Sequence, residues 1–334
     1  MTRLRFHISI VLLLALLVSG GCTKYPAFKR YTAQLGLSQD EAKVRFGEPS
    51  EGFEWLMAMN LAAFDGDWKK LEKLASIERK AELGTYYYNL ANAMQGCLPD
   101  KLMDHYQPFS RGLFIPADET SSAFSIDCSG EVWYRLGEMT MAEHSTLLAM
   151  IFSPNHSGRN YLTRLAQINL VKGDEAAADK YLKMVGRKAD DFKKDVETLR
   201  PLLSTVDTVH HTRDVRTSLK CLVASNPENK AARDYLLCYD LLTKDLKHFV
   251  EDYDPAQGRS ELYDQAMLIV IASSGAKTDA STVAQYDIPV ATVEKFNDFT
   301  SRFMEAGGKG SGLTDDYGKT YWYFFKYATV NENK

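Results

Sequence analysis

Residue types able to do chemistry are plentiful in this chain, but their spacing seldom matches what a reaction needs. Ser125-Ile126-Asp127-Cys128-Ser129-Gly130 offers two nucleophiles, Cys128 and Ser129. An exposed hydrolase serine sits on a strand-to-helix elbow of the form G-x-S-x-G; that spacing is absent, so Ser129 is expected to serve a loop or a helix cap. Gly307-Gly308-Lys309-Gly310-Ser311-Gly312 invites comparison with a phosphate-binding loop, which needs G-x-x-x-x-G-K-[ST] between a strand and a helix. Here Lys309 is followed by Gly310 and no strand precedes it, which predicts a flexible linker. His210-His211 is the one histidine pair. Neighbouring side chains diverge by about 100° around a helix, whereas a spacing of four residues puts two ligands on one face, so no metal site is expected. The carboxylate pairs Asp190-Asp191 and Asp315-Asp316 read as helix starts, where negative charge complements the helix dipole. The expectation is a non-enzymatic protein with no catalytic residue, metal or cofactor.

Aromatic residues carry more weight. Tyr86-Tyr87-Tyr88 and Tyr321-Trp322-Tyr323-Phe324-Phe325 are dense, and the chain holds 18 tyrosines. On a terminal helix Tyr317, Tyr321 and Phe324 share one face and would dock on the preceding helix. The sharper alternative is that part of this set lines a groove for a peptide or a glycan, since tyrosine and tryptophan anchor interfaces. Tyr86, Tyr87, Tyr321 and Trp322 are the candidate partner-binding residues.

At the amino terminus, Arg3 and Arg5 precede an apolar run from Ile8 to Val18, then Ser19-Gly20-Gly21 and Cys22. A basic start, a short apolar core and small residues at a cleavage position make a secretory signal, and the run is too short for a comfortable membrane span of about 20 residues. With cysteine as the first mature residue the pattern resembles the lipobox of bacterial lipoproteins, although Ser19 stands where leucine is usual. The resemblance implies acylation of Cys22 and a membrane anchor, and Thr23-Lys24-Tyr25, with no acidic run of the kind associated with surface display, leads to the expectation of an outer-membrane, lipid-anchored, periplasm-facing location. Several acyl chains on one cysteine would meet the need for more than one chain in a stable anchor. Lys plus Arg (40) against Asp plus Glu (44) leaves net charge −4 with no basic block, which argues against the concentrated positive face that nucleic acid requires. Cys97, Cys128, Cys221 and Cys238 remain. An exported chain can keep disulfides, locally Cys97–Cys128 and Cys221–Cys238, or the four can be buried thiols. Cys238 lies in a strongly helical stretch, where it should face a neighbouring helix.

Short helical patterns separated by polar or Gly/Pro breaks recur along the chain. The clearest unit has a first helix over Tyr161–Leu170, a turn at Lys172-Gly173-Asp174 and a second helix over Glu175–Val185. Gly173 suits a left-handed helix end, and Asp174 suits the N-cap of the next helix. Partial copies occur at Trp55 to Ala75, with Gly66-Asp67 at the turn, at Tyr87 to Ala93, and at Trp133 to Gly137. The pattern resembles a tetratricopeptide repeat. Ser38-Gln39-Asp40-Glu41 has the form of a capping box, opening a short helix to Phe46. Lys188 to Arg200 predicts a charged helix stopped by Pro201, and Pro289 opens a helix to about Ala306. Leu98 to Cys128 is expected to hold a long loop.

Four segments carry a second resemblance: Tyr88-Asn89-Leu90-Ala91 on to Phe114, Ser157-Gly158-Arg159 through Leu182, Asn226-Pro227-Glu228-Asn229 through Leu246, and Tyr317-Gly318-Lys319-Thr320-Tyr321-Trp322-Tyr323-Phe324. From about Trp55 to Tyr327 the chain is similar to an uncharacterised Bacteroidota family of tetratricopeptide-like membrane proteins and lipoproteins. The resemblance implies no activity. The expected organisation is a signal peptide (1–21), a lipidated tether with a short helix (22–48) and a helical-repeat domain (49–330). The fold class is all-α, a tetratricopeptide-like α-solenoid of degenerate helix pairs, because stacked pairs bury a continuous core and leave an extended surface. The expected role is a membrane-tethered scaffold binding another exported or membrane protein. The alternative is a glycan- or nutrient-binding lipoprotein of an uptake system.

Overall fold

The computed structural model describes residues 24–77, 81–118, 121–203, 214–275, 278, 283–284 and 286–329. The expected signal segment, Cys22 and the His210-His211 pair lie outside them. Among the described residues there are α-helices and short 3-10 turns and no strand. The helices are α1 (Pro26–Gln34), α2 (Gln39–Phe46), α3 (Glu51–Asp65), α4 (Trp68–Ala75), α5 (Glu82–Met94), α6 (Leu98–Lys101), α7 (Ala123–Leu136), α8 (Met139–Phe152) and α9 (Arg159–Lys172). They continue with α10 (Glu175–Val185), α11 (Lys193–Leu199), α12 (Val215–Ser225), α13 (Lys230–Leu242), α14 (Leu246–Asp252), α15 (Glu261–Ser273), α16 (Val290–Glu305), α17 (Thr314–Tyr317) and α18 (Tyr321–Tyr327).

One local device builds the helix pairs. Gly66, Gly137 and Gly173 close α3, α7 and α9 in the left-handed conformation, with φ of 71°, 92° and 83°, a conformation that glycine adopts without the Cβ penalty. The acidic residue that follows caps the next helix. Asp67 accepts from Lys70 N at 3.2 Å, Glu138 from Thr140 N at 3.1 Å and Asp174 from Ala177 N at 3.0 Å. In the α13–α14 turn Lys244 takes the glycine's place at φ 60°, and Asp245 caps α14 through His248 N at 3.2 Å. The lysine is held because its Nζ donates at the carboxyl end of α18, to Phe325 O at 2.8 Å and to Ala328 O, just past the helix, at 2.6 Å.

Most of the dense packing is between sequence neighbours, above all α7 on α8, α9 on α10 and α4 on α5, with α12 on α13 and α3 on α4 following; α1 on α3 is a dense pair that skips one helix. The result is an all-α, solenoid-like array of helix pairs. A large hydrophobic cluster runs from Trp55 to Phe324, and a satellite cluster gathers Phe28, Tyr31, Met57, Leu61 and Ile126 at the amino-terminal end.

Three boundaries differ from the sequence reading. The tether expected over 22–48 contains α1, whose Phe28 and Tyr31 are buried against α3, so the helical body begins at Pro26 and not at residue 49. The Glu54 carboxylate fixes it by accepting from Ala27 N at 2.8 Å and Phe28 N at 2.9 Å. Second, the stretch expected as a loop between Leu98 and Cys128 holds α6, and α7 starts at Ala123. Leu98, Leu102 and Leu113 are buried, and Phe114 packs on Trp133 with ring centres 4.7 Å apart and on Tyr235 at 5.5 Å. This segment fills the interior between α5 and the later helices. Asn89 on α5 pins it by donating to Gln107 Oε1 at 3.0 Å and Gly112 O at 2.9 Å. Third, the Gly307–Gly312 linker touches the body on one side, where the Tyr327 hydroxyl donates to Gly308 O at 3.3 Å, while Gly307, Lys309, Ser311 and Gly312 stay exposed. The Ser38 capping box forms as expected. Asn229 caps α13 through Ala232 N at 3.1 Å and donates to Leu136 O at 2.8 Å, tying α13 to the end of α7. All four later cysteines are free thiols, and Cys238 is buried on α13.

Candidate functional site

The concavity with the chemistry of a binding site lies between α15, α16 and α18. It has a volume of about 340 Å³, and its walls include Ile269 and Ser273 of α15, Phe296, Asn297, Phe299, Thr300, Phe303 and Met304 of α16, and Trp322 and Lys326 of α18. Phe296, Phe299 and Phe303 recur at helical spacing along one stripe of α16, continuing Val293. That stripe is legible in the sequence as a spacing of three and four residues, a weaker signal than the dense aromatic runs. The floor is held rigidly. Trp322 lies 5.2 Å from Phe296 and 6.0 Å from Phe299 between ring centres, and its indole Nε1 donates to Gln265 O at 2.9 Å. The rim is adaptable: Met304 is 71% exposed, and the Lys326 ammonium lies over the Phe303 ring at 5.1 Å. Thr278 and Asn297 bond to each other across the rim at 2.8 Å. An apolar floor with a hydroxyl, amide and ammonium rim is the make-up of a ligand-binding hollow.

The four aromatic residues singled out from sequence do not present a binding surface. Tyr86, Tyr87, Tyr321 and Trp322 are all 0% exposed. Each phenol satisfies its polar end inside the protein, which is what lets a tyrosine be buried completely. Tyr86 donates to Cys128 O at 2.8 Å, Tyr87 accepts from Asn60 Nδ2 at 3.2 Å, and Tyr321 donates to Leu241 O at 2.9 Å. They are core residues, and only Trp322 underlies the hollow.

The nucleophile candidates are likewise structural. Ser129 is neither in a loop nor at a cap: it lies inside α7 and donates to Ile126 O at 2.8 Å. Burial pushes the Cys128 thiol up, away from the thiolate that reactivity requires. Asp191 accepts from Lys188 N at 3.1 Å at the start of a 3-10 turn, and Asp315 and Asp316 lie in the first turn of α17. Among the described residues no group of three or more His, Cys, Asp and Glu side chains could hold a metal ion.

A buried polar node links α1, α3, α7 and α9. Asp127 Oδ2 accepts from Tyr31 at 3.1 Å and from Asn60 Nδ2 at 3.3 Å. One turn on, Glu131 accepts from Arg135 Nε at 2.7 Å and from Arg164 Nη2 at 2.5 Å. Burial works most strongly against the Arg164 charge, but Glu131, Tyr134 and Asp195 together outweigh it, so the guanidinium pKa is raised. The gap bounded by Asn60, Asp127, Asn160, Tyr161 and Arg164 is about 20 Å³, room for a single water and no more. The node therefore fixes helices rather than housing a substrate.

Burial pushes the Asp127 carboxyl up from 3.8 to about 7, against the Tyr31 and Asn60 hydrogen bonds and the Arg164 charge, with Glu131 adding to the rise. Although the residue keeps some exposed surface, its carboxyl is packed under Tyr31 and Asn60. An acid raised in the fold binds more protons there than in the unfolded chain, so stability falls as pH rises from about 4 to about 7. The full shift corresponds to about 4 kcal/mol, and about 2–4 kcal/mol allows for the partial exposure. Asp127→Asn, which mimics the protonated acid, should match the parent near pH 4 and exceed it by about 2–4 kcal/mol at pH 8. Urea unfolding at the two pH values measures this, and an unchanged difference would refute the buried acid.

Comparison with curated proteins and with solved structures finds no match to this chain. Among protein families one match extends well beyond the Trp55–Tyr327 stretch singled out in the sequence and takes in the amino-terminal apolar run. Over residues 2–328 the chain belongs to a family of unknown function, DUF6057.

Proposed function

We propose that this protein is a tetratricopeptide-like, membrane-tethered scaffold that binds another exported or membrane protein and catalyses no reaction. In this reading Cys22 is acylated, the chain is anchored to the outer membrane facing the periplasm, and the α15–α16–α18 hollow receives an apolar side-chain cluster of the partner. The observation that carries the reading is that hollow: a rigid aromatic floor beside a flexible, exposed methionine. Methionine adapts to irregular apolar surfaces, and a floor of interlocked rings gives a partner's side chain a desolvated seat. Tethering adds effective concentration for partners at the same membrane without any new contact. A glycan is the second reading, supported by the Asn297, Thr300 and Lys326 rim. Protein is favoured over glycan because Phe296, Phe299 and Trp322 are buried and offer no open ring face for a sugar to stack on.

The test is a photo-crosslinking amino acid in place of Thr300 in the full chain, irradiated in its native membrane. We expect a discrete protein adduct that falls about tenfold with Met304→Glu, the loss of roughly one hot-spot contact. Met304 is exposed, so this variant should fold normally. An adduct indifferent to Met304→Glu would reject the hollow as the seat, and suppression of adduct formation by free oligosaccharide added before irradiation would favour the glycan reading.

A further inference from the structure

We propose that the amino-terminal end of the array rests on the lipid bilayer, with Ile151 and Phe152 entering the interfacial layer and the adjoining hollow taking a lipid acyl chain. The satellite cluster is the starting point. Its inner members, Phe28, Tyr31 and Met57, are buried, but Tyr25, Phe46 and Phe53 on its outer side are only partly covered. There a hollow of about 450 Å³ opens, walled by Phe46, Phe53, Leu56, Met57, Leu83 and Phe124. A cavity so largely apolar is a site for hydrocarbon rather than for a polar ligand.

Two observations select a bilayer as the occupant. In the sequence Cys22 stands four residues before the start of α1, and the α1 amino terminus is pinned by Glu54, the neighbour of Phe53 in the hollow's wall. From Ala27 to Cys22 is five residues, so at most about 18 Å of extended chain separates the modified cysteine from Ala27, which Glu54 holds beside that wall. Any bilayer holding Cys22 is thereby held against this end. Second, large apolar side chains project from the same end. Arg45, which lines the hollow, donates through Nη2 to Phe152 O; Phe152 is 51% exposed, Ile151 56%, and Val44, beside Arg45, 89%. Lys43 and Arg45 are accompanied by Asp40, Glu41 and Glu48 on and just after α2, so the face has no strong net charge. Apolar insertion, rather than attraction to anionic headgroups, holds it. The bilayer would then orient the body, with the tethered end down.

This inference rests on the tether of the proposed function, and its test separates the two. The acylated full chain is reconstituted into phosphatidylethanolamine–phosphatidylglycerol vesicles with a fluorescent amino acid replacing Val44, Phe152 or, as a reference, Met304. Nitroxide-labelled lipid should quench the fluorophore at 44 and 152 at least about threefold more than at 304, as interfacial seating requires. The pair Ile151→Glu and Phe152→Glu, both at exposed positions, should abolish the excess at 44 while the protein stays with the vesicles. Equal quenching at all three positions in vesicle-bound protein would overturn the seat and leave the tether standing. A chain that stays out of the vesicle fraction would overturn both.

Discussion

Glu131→Ala is expected to lower the unfolding free energy by about 3–5 kcal/mol, the cost of leaving a buried charge without its partner. Glu131 sits between two guanidinium groups, with Arg135 Nε at 2.7 Å and Arg164 Nη2 at 2.5 Å. Arg135 also donates from Nη2 to Ala63 O at 2.8 Å and Phe64 O at 3.1 Å, closing the carboxyl end of α3. Arg164 lies 3.8 Å from the Tyr134 ring centre and 4.5 Å from that of Phe64. Removing the carboxylate therefore strands two desolvated cations and loosens three helices together. Glu131→Gln keeps one acceptor and should cost less. Adding Arg164→Met to Glu131→Ala should recover part of the loss, because an apolar replacement of a buried ionic group is often near neutral. Equilibrium urea unfolding of the single and double variants measures the coupling. A loss below about 1 kcal/mol, the range of exposed pairs, would mean that water reaches the node freely.

Trp322→Ala should cost a comparable amount, about 3–5 kcal/mol for a fully buried large aromatic residue. Its indole packs between Phe296 and Phe299 and donates to Gln265 O, while the Gln265 side chain accepts from Tyr321 N at 2.7 Å. Truncation opens a void beneath the α15–α16–α18 hollow and leaves the Gln265 carbonyl without its donor. Trp322→Phe retains most of the volume and should cost about 1–3 kcal/mol, the range for an unsatisfied buried group. This pair separates a core tryptophan from a ligand platform. A ligand platform would lose binding on substitution and keep its stability.

The local level of this fold was legible before any coordinates. The Ser38 capping box, the Gly66-Asp67 and Gly173-Asp174 turns and the Pro289 helix start each depend on residues within one turn of chain, and each forms. Arg135 one helical turn after Glu131 was visible too, but Arg164 completes the node from 33 residues away, and no spacing rule connects them. The same limit explains the aromatic residues. A tyrosine run says that aromatic rings are present. Whether they meet solvent depends on what lies opposite: Tyr86 and Tyr87 meet Cys128 of α7 and Asn60 of α3, and the Leu98–Phe114 segment that sequence suggested was loop covers α5 at Asn89.

Sequence alone thus determined the all-helical class, the pairing of neighbouring helices and their turn chemistry, because hydrogen bonds within and just beyond a helix are encoded by adjacent residues. Tertiary structure decided which faces remained open. It buried Tyr86, Tyr87, Tyr321 and Trp322, moved the start of the body to Pro26 and left hollows at α15–α16–α18 and beside Phe46 and Phe53. The physical reason is that burial is a property of pairs of surfaces: an apolar stripe is core or docking site according to whether another segment of the chain arrives to cover it.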